Sequence, residues 1–397
     1  MNSFKHLMDL SIRFAKTQYD PYMAMFLDRQ YQVLCSIWEG APYLGATYYI
    51  PGELMALFDV ETLYIERAAG FGAANRLIPN LDAKRAKYAL PAHGCSYQLC
   101  FQALIEEGFI PAPNGFVGSN FACDDAWLYS MSAAARFKIP YYFLDVVPYG
   151  RVQTIPHMGA QLEQLYHTLS LKYNRRQSLE ETVEWSNRAL DMKEKIDALR
   201  LAHPGIMSGT DSFKIFTLYN DLGKESTLNI LTAVYESLLA KVPDHKPVRE
   251  YKILWLGIIP LYLNRLIQDI ENRYHCRIIE EELFHYPSRR ISAGAFFDGL
   301  AARISSSLYF SLRNRLRTLF GLIRKHEIDG VICFSQRNCR FLSPVVPVIQ
   351  QAFGKHGIPL VEIQGDAIIP EHFNESQCWE RLDVFFEMMR GRCKQCM

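Results

Sequence analysis

The sequence has almost no net charge and no recognisable export signal. It carries 43 Lys and Arg residues against 42 Asp and Glu residues, so no overall field favours nucleic acid or an anionic membrane surface. The N-terminal stretch "MNSFKHLMDLSIRFAKTQYD" lacks the apolar core and cleavage site of a secretory signal and is not a membrane span. We therefore expect a cytoplasmic protein that binds neither nucleic acid nor membrane.

Common nucleotide-binding and zinc motifs are also missing. No GxxxxGK[ST] phosphate loop is present, so any ATP chemistry would belong to a partner protein. No predicted strand is followed by GxGxxG, which argues against a dinucleotide-binding oxidoreductase. The "CKQC" at 393–396 has metal-ligand spacing but no second pair, so a zinc site there is not expected.

The chain is rich in cysteine, with ten in 397 residues. In a reducing cytoplasm these are expected to be thiols or metal ligands rather than disulfides. Most should simply pack in the interior, because free cysteine behaves as a small buried hydrophobe.

The first half of the chain predicts a helical lead-in followed by an α/β domain. The whole chain of 397 residues is 49% hydrophobic, which predicts more than one domain. The apolar residues of the segment 1–40 have helical spacing. Residues 41–156 contain short apolar runs closed by Gly and Pro, with a helix-spaced segment between "NGFVGSN" and "IPYYFLDVVPYG". Strand, helix and strand joined by short loops are typical of a parallel sheet that is buried on both faces.

The second half predicts a helical segment and another α/β domain. Residues 157–245 show no comparable strand pattern, and Ser178 with Glu181 forms a capping-box motif at a helix start. Residues 246–397 return to apolar runs and end in a helix and a tail. We predict an α/β fold with two tandem doubly wound, flavodoxin- or Rossmann-like parallel-sheet domains joined by a helical segment.

Three cysteines fall where such a fold binds ligands, beyond the carboxyl ends of parallel strands. Cys123 follows the strand "GFVGS", Cys339 follows "GVICFS", and Cys95 stands at the start of a predicted helix. Three thiolates could hold three irons of a [4Fe–4S] cluster and leave the fourth iron open, with helix N-termini offsetting the negative charge. Because the spacing matches no compact ferredoxin run, three buried packing thiols remain the alternative.

Several segments, taken in order, resemble the 2-hydroxyacyl-CoA dehydratase family, which also includes the ATP-dependent benzoyl-CoA reductases and the double-cubane cluster proteins. The resemblance covers roughly residues 41–150 and 250–390. The segments that carry it are "YYIPGELMALFDVETLYIERAAG", "HGCSYQL", "PNGFVGSNFACDDAWLYSMSAAARFKIPYYFLDVV", "DGVICFSQRNCRFLSPVVPVIQQAFGKHGIPLVEIQGD" and "NESQCWERLDVFFEMM".

The resemblance implies a site. Cys95, Cys123 and Cys339 fall on the family's three cluster-ligand positions, for a [4Fe–4S] cluster with one iron that no cysteine holds. Glu53 lies where the family places a carboxylate near the substrate, so it could transfer a proton; the alternative is a solvated glutamate in the first turn of a helix. Ser119 and Asn120 could donate hydrogen bonds to cofactor or substrate, or could satisfy the backbone of their own turn.

The resemblance also implies a reaction. The chain would be the iron–sulfur subunit of a lyase that eliminates water from an (R)-2-hydroxyacyl-CoA, through a ketyl radical, to give an enoyl-CoA. A separate ATP-hydrolysing iron–sulfur activator would supply one electron. A second homologous dehydratase subunit, identical or unlike, would complete the enzyme, and the acyl group is left open.

Two features keep rival functions open. Ala46 stands where the family often has a further cysteine, whereas Cys100, Cys333 and Cys378 would raise the thiols near the site to six, the number that a double-cubane cluster needs. Packing in the core explains both Cys333 and Cys378. The rivals are a benzoyl-CoA-reductase-like or double-cubane reductase that consumes the electron, and a structural subunit without a cluster.

Overall fold

The computed structural model describes Arg13, Thr17 and residues 19–88, 91, 93–147, 154–245, 251–262, 265–285 and 287–395. The part of the predicted helical lead-in before residue 19 therefore lies largely outside the described residues. From Pro21 onward it is helical as far as Trp38.

Eight strands form two separate sheets of four, and every pairing is parallel. The first sheet has the order β2-β1-β3-β4 and the second has the order β6-β5-β7-β8. In each sheet the order reverses beside the first strand, which makes both units doubly wound. The predicted fold class is confirmed. The strands are β1 Tyr43–Ala46, β2 Glu61–Tyr64, β3 Gly115–Ser119, β4 Tyr141–Leu144, β5 Tyr251–Gly257, β6 Cys276–Glu281, β7 Gly330–Gln336 and β8 Leu360–Gly365.

Helices cover both faces of each sheet, and a further group of helices packs around an apolar cluster of its own. Within the described residues, 154–245 hold helices and contribute no strand to either sheet. The α-helices are α1 Pro21–Trp38, α2 Gly52–Ala56, α3 Ile65–Ala74, α4 Ser96–Glu106, α5 Asp124–Phe137, α6 Thr154–Ser170, α7 Leu179–Ala202, α8 Gly209–Phe216, α9 Glu225–Lys241, α10 Leu266–Tyr274, α11 Phe296–Ser306, α12 Leu312–His326, α13 Val346–Lys355 and α14 Glu375–Gln395.

The apolar runs become strands because both of their faces are covered. In β3, Phe116 packs with α3 and α4, whereas its neighbour Val117 packs with α6 and α11 on the opposite face. Successive side chains of a strand point to opposite faces, so a strand covered on both sides must be apolar at every position. The same arrangement recurs in the second sheet, where α10 and α14 cover one face and α12 and α13 cover the other.

Local signals mark some boundaries well and others poorly. The capping box is present, since the Ser178 hydroxyl accepts from the Glu181 N–H at 3.1 Å while the Glu181 carboxylate accepts from the Ser178 N–H at 2.8 Å. The strand predicted from the run "ATYYIPG" is placed less accurately. In the structure β1 ends at Ala46, and the two tyrosines that follow lie in a turn in which Tyr49 has φ of 72°. No helix among the described residues is long and apolar enough to cross a membrane.

The two sheet domains contact each other at the carboxyl ends of their strands. The Ser96 hydroxyl, in the first turn of α4, donates to Asp366 Oδ1 just beyond β8 at 2.7 Å. The side chain of Gln336, the last residue of β7, donates to the same hydroxyl at 3.1 Å. This contact brings the loops of both sheets to one place.

Candidate functional site

The three predicted cysteine ligands lie outside the strands, at helix starts or in a loop. Cys95 is the residue immediately before α4, Cys123 is the residue immediately before α5, and Cys339 lies in the loop after β7. All three are partly buried. Burial raises the pKa of the Cys95 thiol, and the proximity of Cys123 and Cys339 raises it further. The structure therefore brings the three thiols into one neighbourhood, although they are far apart in sequence.

Backbone N–H groups face these sulfur atoms. The Leu342 N–H donates to Cys339 Sγ at 3.2 Å. The N–H groups of Ala126 and Tyr97 oppose the effect of burial on the pKa of Cys123 and Cys95. Amide donors of this kind stabilise negative charge on sulfur, and they are among the features that tune iron–sulfur clusters.

The donor set consists of three thiols, the ligand type that iron–sulfur clusters use. Among the described residues, no group of three or more His, Cys, Asp or Glu side chains is arranged to hold one metal ion. A [4Fe–4S] cluster is several ångströms across, so its cysteine ligands stand further apart than those of one ion. Three thiols on separate loops, with amide donors beside them, are residues that such a cluster could use.

The backbone is strained directly before two of the cysteines. Ala122 has φ of 67° and Asn338 has φ of 59°. This left-handed conformation costs an alanine on the order of 1 kcal/mol, while asparagine tolerates it better. Such strain persists only where the surrounding structure enforces it, and it is concentrated at functional sites. Here the two left-handed residues lie between the end of the preceding strand and the cysteine.

Glu66 is a carboxylate of the site that the sequence reasoning missed. It lies in the first turn of α3, where its Oε2 accepts from the Tyr48 N–H at 3.0 Å and its Oε1 accepts from the Gln98 side chain at 3.2 Å. Burial raises its pKa to about 7, and its charge contributes to the raised pKa of Cys123. The available signal was an acidic residue two positions after the end of β2, at the ligand-binding edge of the sheet.

Glu53, the predicted proton-transfer residue, lies in a different environment. Its side chain is fully buried and forms an ion pair with Arg303 of α11. The Ser186 hydroxyl of α7 donates to Glu53 Oε1 at 2.7 Å. These contacts tie α2 to two other helices, and the alternative of a solvated glutamate is wrong because the side chain has no exposed surface. Its role in proton transfer stays a prediction.

Ser119 and Asn120 make local hydrogen bonds at the end of β3. Ser119 Oγ accepts from the Phe121 N–H at 3.0 Å. The Asn120 side chain donates to Asp145 at 2.7 Å and accepts from the Val146 N–H at 2.7 Å, which links the ends of β3 and β4. These bonds satisfy the turns around them, and a role toward cofactor or substrate stays a prediction.

An aromatic wall stands beside the thiols. We use that term for Tyr49, Phe121, Tyr309 and Phe341, in which Tyr49 lies 5.2 Å from Phe121 and 5.8 Å from Tyr309 between ring centroids, and Tyr309 lies 5.3 Å from Phe341. Cys339 packs against the same apolar cluster. The wall could not be found in the sequence, because its members come from four separate segments.

A cavity of about 490 Å³ opens at the same edge of the second sheet. Its lining includes Arg337, two residues before Cys339, and the first turn of α14. Charges of both signs line it, because Glu371 and Glu375 share the lining with Arg337. The cavity therefore shows no preference for a ligand of one charge.

The three further cysteines near the site in sequence are core residues. Cys100, Cys333 and Cys378 are buried, and burial raises the pKa of each thiol to about 12. The Cys100 thiol donates to the Ala69 carbonyl at 3.5 Å. They pack inside a helix or a strand in three separate apolar clusters of the core, whereas Cys95, Cys123 and Cys339 lie in a loop or directly before a helix.

The fold and the site define a two-domain α/β protein whose carboxyl-edge loops and helix starts gather three thiols, a partly buried carboxylate and an aromatic wall. The chain belongs to the family described as 2-hydroxyglutaryl-CoA dehydratase, D-component, whose model matches residues 47–389.

Named relatives agree with this assignment. The chain is 22% identical over 385 residues to the lactoyl-CoA dehydratase subunit alpha of Anaerotignum propionicum, covering 86% of this chain and 89% of the relative. It is 22% identical over 381 residues to the (R)-2-hydroxyisocaproyl-CoA dehydratase alpha subunit of Clostridioides difficile, covering 90% and 92%. A shorter match, 37% identical over 72 residues, links it to the (R)-2-hydroxyglutaryl-CoA dehydratase subunit alpha of Acidaminococcus fermentans, covering 18% of this chain and 15% of the relative.

Proposed function

We propose that this chain is the iron–sulfur subunit of a 2-hydroxyacyl-CoA dehydratase, in which Cys95, Cys123 and Cys339 hold a [4Fe–4S] cluster. The observation that carries the proposal is the meeting of three thiols from three loops, with backbone N–H groups directed at the sulfurs. Family membership supports the same assignment. When bound, such a cluster supplies a single electron and one iron that is open to an oxygen ligand.

The proposed reaction is the elimination of water from an (R)-2-hydroxyacyl-CoA, through a ketyl radical, to an enoyl-CoA. The relatives are named as dehydratase subunits, which supports a second homologous subunit as partner. The electron would come from a separate ATP-hydrolysing iron–sulfur activator.

Glu66 is the group of this chain best placed to move the proton. With a pKa of about 7, it is present in both the protonated and the ionised form near neutral pH. A general acid or base acts best when its pKa is close to the working pH. Its hydrogen bonds from Tyr48 and Gln98 fix the carboxylate beside the thiols. Glu66 can therefore accept a proton at a carboxylate oxygen and return it.

The aromatic wall would hold the acyl group. Its rings belong to the apolar cluster against which Cys339 packs. A water-poor site strengthens the electrostatic interactions inside it and protects a reactive radical from side reactions.

Iron and sulfide analysis of anaerobically purified protein tests the proposal, together with an electron paramagnetic resonance spectrum of the reduced form. We expect about four irons per chain, and we expect Cys123→Ala to lose or alter the signal. An unchanged signal in Cys123→Ala would overturn the ligand assignment. About eight irons would support a double-cubane reductase instead, and a colourless, iron-free protein would support a structural subunit.

A further inference from the structure

One carboxylate contacts all three cysteine-bearing segments. Asp125 lies in the first turn of α5, two residues after Cys123, and its residue is 3% exposed. Its Oδ2 accepts a hydrogen bond from the Cys95 N–H at 3.2 Å. Its Oδ1 lies 3.3 Å from Nε of Arg340, the residue after Cys339. The side chain thus joins the Cys123 segment to the other two.

Helix formation alone does not account for this placement. An aspartate in the first turn of a helix is stabilised by the helix dipole while remaining in water, and the neighbouring Asp124 is exposed in this way. Burying a carboxylate is costly unless it is paired and hydrogen-bonded. Both partners of Asp125 come from distant parts of the chain. The free-energy cost of burying its carboxylate is therefore offset by tertiary contacts.

A second side chain of the same helix holds the same segment. Tyr129 lies one turn after Asp125, and its hydroxyl packs against Gly94, the residue before Cys95. A Cβ atom added at Gly94 would lie 1.5 Å from that oxygen, so only glycine fits. Arg85 donates to the Gly94 carbonyl at 3.0 Å from the other side. The Cys95 segment is therefore held from two directions.

We propose that Asp125 is a positioning residue that sets the spacing of the three thiols, with Arg340 as its partner on the outer side. This inference rests on the proposed function for the identity of the bound cluster. The contacts predict that removing the carboxylate releases the Cys95 segment while the fold of both domains is kept, because its hydrogen bond and its ion pair reach the loops at Cys95 and Arg340 and no strand of either sheet.

The experiment compares Asp125→Ala and Asp125→Asn with the matched control Asp124→Asn in the full chain. Anaerobic reconstitution with iron and sulfide is followed by iron counting and by paramagnetic resonance of the reduced protein. We expect Asp125→Ala to hold less than half the iron of the wild type, with altered g-values in the remainder. Asp125→Asn keeps one acceptor oxygen, so its iron content should lie between those of Asp125→Ala and the wild type. The iron content of Asp124→Asn should match that of the wild type.

Hydrogen–deuterium exchange of the cluster-free protein provides a readout that is independent of iron. The peptide containing Cys95 should exchange at least threefold faster in Asp125→Ala than in the wild type or Asp124→Asn. Arg340 is mostly exposed, so Arg340→Gln should fold normally and change iron content and exchange in the same direction by a smaller amount. It serves as the test if Asp125→Ala fails to fold.

The outcomes separate the two proposals. An iron-free wild type would overturn the proposed function, and the exchange comparison would still decide whether Asp125 positions the Cys95 segment. A wild type with about four irons, together with Asp125 and Arg340 variants that match it in iron content, resonance and exchange, would overturn the positioning role.

Discussion

Glu53 of α2 and Arg303 of α11 form a fully buried ion pair, although 250 residues separate them in the chain. The Arg303 Nε also donates to the Arg289 carbonyl at 2.9 Å. Breaking a buried pair by removing one partner leaves an uncompensated charge, whereas replacing both partners by apolar residues of similar size is often neutral. The pair therefore permits a direct separation of structural and chemical roles for Glu53.

We expect Glu53→Met to lower the free energy of unfolding by about 3–5 kcal/mol, and the double variant Glu53→Met with Arg303→Met to recover most of that loss. Denaturant unfolding measures both, with Glu184→Gln on the exposed face of α7 as control. Dehydration activity of the double variant then decides the role of Glu53. Retained activity assigns a structural role, and an inactive, stable, iron-loaded double variant would support the predicted proton transfer.

Glu66 should make stability depend on pH. Its folded pKa of about 7 lies above the ordinary value of 4.5, so the folded protein binds the proton more tightly than the unfolded chain. The contribution is most favourable below the unfolded pKa and is lost as the pH rises through the folded pKa. Relative to Glu66→Gln, the wild type should lose on the order of 3 kcal/mol between about pH 4 and pH 8.

Unfolding of both proteins across that range measures the difference, with Glu236→Gln, an exposed change in α9, as control. A constant difference between wild type and Glu66→Gln would contradict the raised pKa. In the active complex, Glu66→Gln should lower kcat by at least about 10²-fold if Glu66 is the general acid or base. Unchanged turnover with full iron content would remove it from the mechanism.

Ala122 should be more stable as glycine. With φ of 67°, the residue occupies a conformation that glycine adopts without penalty. The relief of about 1–2 kcal/mol in the folded state is partly offset by the greater freedom of glycine in the unfolded chain. We expect Ala122→Gly to raise the free energy of unfolding by up to about 1 kcal/mol.

Ala135→Gly, a change at an exposed position inside helix α5, should have the opposite effect on stability. We expect it to lower the free energy of unfolding by about 0.5–1 kcal/mol. Denaturant midpoints of the two variants and the wild type provide the comparison. A loss of stability in Ala122→Gly equal to that of Ala135→Gly would show that Ala122 is not strained.

Cys333→Ala should leave the iron content unchanged. The Cys333 thiol lies inside β7 among Leu254, Val331 and Ile349, and not in the loop beyond the strand. Removing it should cost on the order of 1 kcal/mol of stability and no iron. Iron counting beside Cys123→Ala tests this, and a proportional loss of iron in Cys333→Ala would indicate a larger cluster that includes it.

The sequence by itself determined the fold class and where its chemistry could lie. Apolar runs closed by Gly and Pro, such as those that became β3 and β7, predicted buried parallel strands because a strand covered on both faces must be apolar throughout. The Ser178 capping box predicted the start of α7 correctly, since capping depends on residues only three apart. Cys123 and Cys339 were placed beyond strand ends by the same local reasoning, and the family resemblance selected them among ten cysteines.

Only the tertiary structure decided which side chains meet. Nothing near Glu53 in sequence points to Arg303, and nothing near Cys95 points to Asp125 or Asp366. In the sequence, Glu66 is an ordinary glutamate in the first turn of a helix. Its raised pKa follows from burial, which only the tertiary structure shows. The physical reason is the distance along the chain. Local periodicity reports backbone sterics and the burial of one face, whereas contacts between distant segments depend on how the two sheet domains meet at the carboxyl ends of their strands.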